Sequence, residues 1–154
     1  MKVKVILLTL LLLFVSAVVC SAQSPHMGTW KLNEAKSHFG KGAARNNTVV
    51  YEAAGDQLKV TVDGVDGSGS PTHNEWTGKF DGKYYAVTGS DTGDMRSYTK
   101  ANSRTLAIRE KKGGKVVLTG TIAVARNGKS RTVRTTAKNA QGKWITNTAV
   151  YDKQ

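Results

Sequence analysis

The sequence predicts an all-β domain, an antiparallel up-and-down meander of about ten strands closed into a barrel. Three observations predict it. From Thr48 onward, apolar and polar residues alternate with period two. The alternating runs are separated by short links rich in Gly, Asn and Asp, which tolerate the positive φ of tight hairpins. Those links leave too little chain for crossover connections, so sequence neighbours pair antiparallel and closure hides the edges. A two-sheet sandwich is the alternative, and it normally needs longer crossing connections.

The elements follow in order. Residues 1–22 read as a secretory signal peptide. Lys2 and Lys4 form a basic start, residues 5–19 an apolar stretch, and "CSA" places small residues for cleavage after Ala22. The apolar stretch is short for a membrane span, so no stable span is expected after cleavage. Val19 stands where a lipoprotein box has a small residue, so Cys20 is not read as a lipid anchor. Residues 23–154 then form a single domain that is exported, periplasmic or extracellular. Cys20 is the only cysteine. The exported domain therefore has no disulfide, no thiol nucleophile and no cysteine metal site.

A short strand is expected at "GTWKL", residues 28–32. Residues 33–47 are the one gap with room for a helix, and "EAKSHF" behind Asn33 as N-cap suggests a short one within 33–40. Further strands are read at 48–53, 57–63, 72–80, 83–88, 96–101, 104–112, 115–125, 130–138 and 143–153. The "DG" at 81–82 signals a hairpin, residues 63–71 a longer loop, and Gly120 a bend or bulge. Alternation points Leu58, Val60 and Val62 inward, and likewise Leu106, Ile108, Val116, Leu118, Ile122 and Val124. In 143–152 either face qualifies as the inner one.

The formal net charge is +12, and removal of the signal leaves 21 basic against 11 acidic residues. The charge is spread along the chain rather than gathered in runs. It serves solubility and edge protection, or attracts an anionic ligand or surface. Chemistry-bearing patterns are sparse. His26, His38 and His73 do not make a metal-ligand spacing, and no Ser-His-Asp arrangement, G-x-S-x-G or phosphate loop occurs. No catalytic residue, metal or cofactor is assigned, and an enzyme is not expected. Aromatics make up 7% of residues and fall mostly on inward faces, so nucleic acid is not an expected partner. A monomer is expected.

The Gly28-x-Trp30 element resembles the start of the calycin superfamily, the lipocalin and fatty-acid-binding-protein barrels. The end of the chain, "TNTAVYDK" at 146–153, is similar to their last strand. The whole chain also resembles exported bacterial proteins with a lipocalin-like domain. The resemblance implies that Gly28 and Trp30 are structural and close the barrel base. It further implies a small apolar or amphipathic ligand in the interior. Tyr151 keeps a tyrosine that the family uses on a ligand carboxylate, whereas Ala149 stands where the family has the partner arginine. Residues 33–47 are also too few for the family's helical lid.

The candidate ligand-binding residues are therefore Tyr51, Trp76, Tyr84, Tyr98 and Tyr151, with Arg96, Arg109 or Arg134 as anion anchors if they point inward. A cavity of at least ~300 Å³ is the mark of such a binder. A side-chain-filled interior with an exposed apolar patch is the mark of the alternative, a protein-interaction or inhibitor module.

Overall fold

A computed structural model describes residues 24–139 and 141–154. The signal-peptide reading and Cys20 lie outside the described residues. The chain forms ten strands: β1 Gly28–His38, β2 Arg45–Ala54, β3 Gln57–Val65, β4 Pro71–Gly78, β5 Tyr85–Thr88, β6 Met95–Asn102, β7 Thr105–Lys112, β8 Lys115–Val124, β9 Ser130–Lys138 and β10 Trp144–Lys153. Each pairs antiparallel with its neighbours in sequence, and β1 pairs with β10 to close the barrel. This closed ten-strand meander is the architecture predicted above, and the sandwich alternative falls away.

The hairpin chemistry accounts for the order. Gly55, Gly113 and Gly128 take positive φ at the turns after β2, β7 and β8, where a side chain is disfavoured. At Gly120 the φ is ordinary, but an added Cβ would overlap the Arg134 carbonyl on β9. The glycine predicted as a bend is thus the point where two strand backbones approach closely. The "DG" link is wider than a two-residue hairpin. β4 ends at Gly78 and β5 starts at Tyr85, because Phe80 turns inward against Trp76, Tyr98 and Tyr51.

The short helix expected within 33–40 is not formed. β1 continues through His38, with an irregularity against β10 between Asn33 and His38. Asn33 does cap a turn, since the Lys36 amide donates to its Oδ1 at 3.2 Å and the Ser37 hydroxyl to its carbonyl at 2.7 Å. That turn is absorbed into a bulge, because Ser37 Oγ also accepts from the Val150 amide at 2.9 Å and so ties the segment to β10.

Tertiary packing also settles β10. Ala149 and Tyr151 are buried, while Trp144 is 46% exposed, so the odd-numbered residues face inward. β5 is the thinnest seam, with two register pairs to each neighbour. Trp76 on β4 reinforces it by donating from its indole to the Arg96 carbonyl on β6 at 2.9 Å. No described helix is long and apolar enough to cross a membrane.

Candidate functional site: the polar barrel interior

The lower end of the barrel, where β1 begins, is closed by side chains. Trp30 has no exposed surface, and its indole donates to the His26 carbonyl at 2.8 Å. Above it lies an aromatic cluster. Tyr98 meets Trp76 edge-on at 4.8 Å between ring centroids and Phe80 at 5.4 Å, and Tyr51 joins at 6.4 Å. Such edge-to-face arrays rigidify a core beyond the area they bury.

The interior also holds charge. Arg96 on β6 and Glu110 on β7 occupy opposed register positions, both are nearly fully buried, and Nε donates to Oε1 at 2.5 Å. Arg96 Nη2 donates to Asn74 Oδ1 on β4 at 3.0 Å. Burial works against the Arg96 charge, but Tyr98 and Glu110 beside it hold its pKa above the ordinary value. The pair is neutral as a unit.

Arg131 on β9 is different. It is 2% exposed, and its Nε and Nη1 meet no hydrogen-bond partner. Its guanidinium carbon lies 4.9 Å from the Trp30 ring, 5.0 Å from Tyr51 and 4.8 Å from Tyr151. Ring faces attract a cation but accept none of its N–H bonds conventionally. Burial pushes the Tyr151 phenol up to about 12 against the opposing pull of Arg131, and burial beside Tyr51 raises Tyr98 too. These phenols stay neutral at ordinary pH, so Arg131 is an uncompensated cation.

An interior cavity of about 70 Å³ lies between these groups, lined by Arg131, Tyr51, Tyr98, Arg96, Tyr151 and Thr135 among others. It has room for a pair of waters or a small anionic group, well below the ~300 Å³ expected of a ligand pocket. A larger depression, about 270 Å³, sits on the lower rim beside Phe80, Asp56, Lys79 and Lys100.

The structure brings Tyr51, Trp76, Arg96, Tyr98 and Tyr151 together inside the barrel, and Gly28 and Trp30 at its base. Arg109 and Arg134 are exposed on the outer face, because their strand parity points them away from the core. Tyr84 lies outside the strands and packs on Lys111, whose Nζ is 4.0 Å from its centroid. Val116 is 41% exposed at the upper end of β8 rather than buried. Sequence reasoning missed Arg131 and Glu110. Their signal was present: Arg131 shares the parity of Val133, and Glu110 that of Leu106 and Ile108. Among the histidines, His73 bonds Asp63 at 2.6 Å on the outside, and no group of three or more metal-ligating side chains occurs among the described residues.

No protein-family model matches the chain, and no curated protein matches it in sequence. Among solved structures it is similar to EF1p2_mFAP2b bound to DFHBI, with a TM-score of 0.47 and 10% identity over 84% of this chain and 94% of that one.

Proposed function

We propose that the protein is an exported, non-enzymatic binding barrel for a small amphipathic molecule whose acidic group sits on Arg131. The observation that supports this reading is the buried guanidinium with two unpartnered nitrogens lining the interior cavity. An unpaired buried charge is costly, and a carboxylate oxygen accepts a guanidinium N–H in a strong, charge-assisted hydrogen bond. The Arg96–Glu110 pair cancels itself, so an anion entering beside Arg131 brings the interior to neutrality. The cavity size favours a compact head group, with any longer apolar portion needing displacement of side chains. Export follows from residues 1–22, and N-terminal sequencing of the secreted protein at Gln23 tests it.

Native mass spectrometry of protein from its own host tests binding. The expected result is a co-purifying acidic small molecule, lost in Arg131→Met, with short-chain carboxylates quenching the emission of neighbouring Trp30. Protein that carries no adduct and responds to no carboxylate refutes the reading. The small cavity favours one other reading, a filled barrel acting through its outer surface as an interaction module.

A further inference from the structure

Charge is divided between the two halves of the barrel. Residues 24–94, which build β1–β5, carry 7 basic and 9 acidic residues, whereas residues 95–154, which build β6–β10, carry 14 basic and 2 acidic. Of those two acids, Glu110 is buried against Arg96, and Asp152 accepts from Asn33 Nδ2 at the β1 seam. Consequently no carboxylate faces outward from β7, β8 or β9 among the described residues. The described ion pairs of Arg45, Lys59, His73 and Lys79 lie on the other half, and that of Arg96 lies inside.

The outer surface of β7–β10 is ordered by register. Arg109, Thr119, Thr136 and Thr146 form one row across the four strands, and Thr121, Arg134 and Thr148 form the next across β8–β10. Thr136 and Thr146 hydroxyls lie 3.0 Å apart. Lys138 pairs with Trp144 above them, its Nζ 5.5 Å from the indole centroid. Arg109 and Arg134 are two strands and two residues apart, or about 12 Å from strand spacing and rise. The face is therefore a lattice of hydroxyls with spaced, unpaired cations and one exposed indole.

We infer that this face docks an anionic carbohydrate polymer bearing carboxylate or sulfate groups. Threonine hydroxyls exchange hydrogen bonds with sugar hydroxyls, Arg109, Arg134 and Lys138 meet the anionic substituents, and Trp144 offers a flat surface to a sugar ring. The charge complementarity alone suits any polyanion. A single-stranded nucleic acid calls for several aromatic platforms, and this face has one. A bilayer calls for an apolar stripe to insert, and the large exposed apolar side chains among the described residues are two separate ones, Trp144 and Val116. The inference is independent of the interior site.

Retention of the full exported domain on heparin and on polygalacturonate, with neutral dextran as control, tests it. The wild type is expected to bind both anionic polymers. R109S/R134S/K138S is expected to weaken that binding about tenfold, the scale of three exposed charge contacts. K59S/K79S/K83S removes as much charge from β3 and the link between β4 and β5, across the barrel from this face, and is expected to bind nearly as wild type. W144S is expected to weaken polymer binding without changing net charge. If the triple variant does not fold, R134S alone replaces it. Equal losses in both triple variants, no retention of the wild type, or tighter binding to DNA or phosphatidylglycerol vesicles than to the polymers would overturn the inference.

Discussion

Glu110→Gln is the sharpest test of how the interior is held together. The substitution keeps the shape and an acceptor for Arg96 Nε, and it removes only charge. Arg96 is 5% exposed and Glu110 6%, so neither can turn to solvent. Arg96 keeps its bond to Asn74, but the interior then holds two cations, Arg96 and Arg131, and no anion. Breaking one partner of such a buried pair costs about 3–5 kcal/mol, a large part of the ~5–15 kcal/mol that stabilises a typical domain. For a chain of this length that corresponds to a fall of roughly 10–20 °C in Tm. Urea unfolding followed by tryptophan emission, with thermal unfolding by circular dichroism, measures it. The paired change Arg96→Met with Glu110→Leu removes both charges and is expected to be nearly neutral or stabilising. A loss under about 1 kcal/mol in E110Q, or a paired variant weaker than E110Q, refutes the account of Glu110 as the counter-charge of the interior.

Four further outcomes are expected. Burial, then Arg131 and Lys100, push His26 from 6.5 down to about 4; the unfolded chain therefore takes up a proton below pH 6.5 that the native state refuses. Stability falls by up to about 3 kcal/mol as pH drops from 6.5 to about 4, and a pH series in which H26Q shows the same slope as wild type contradicts this. Gly78→Ala places a Cβ 2.6 Å from the Tyr85 ring and 2.7 Å from Trp76 Cζ2; it should cost about 1–3 kcal/mol by urea midpoint, and an unchanged midpoint would show that the cluster has slack. Trp30→Ala removes the base and its bond to the His26 carbonyl, at a cost of about 3–5 kcal/mol; a Tm within a few degrees of wild type would rule out a base-closing role. Acrylamide should quench one of three tryptophans strongly, and Trp144→Phe should abolish that component, since Trp30 and Trp76 are buried and Trp144 is 46% exposed.

The β meander was legible because its determinants are local. Alternation at Leu58–Val62 and Leu106–Ile108 depends on residues two apart, and turn glycines such as Gly55 and Gly128 encode their own φ. The 33–40 segment was misread for a related reason. Asn33 does make a capping turn, but whether such a turn grows into a helix or collapses into a bulge depends on what it packs against. Here Ser37 bonds β10, more than a hundred residues away. The uneven division of charge between residues 24–94 and 95–154 is a property of the sequence, but that Glu110 points inward, leaving no outward carboxylate on β7–β9 among the described residues, depends on the fold.

The strand count and strand order are legible along the chain, because period and turn chemistry are properties of neighbouring residues. Packing across the barrel sets which face of β10 is inside, that Arg96 is paired while Arg131 is not, and that the cavity is about 70 Å³. Those depend on which side chains meet across the barrel and how much space they fill. Trp30 on β1, Tyr51 on β2 and Tyr151 on β10 surround the Arg131 guanidinium, and no spacing along the chain records that meeting.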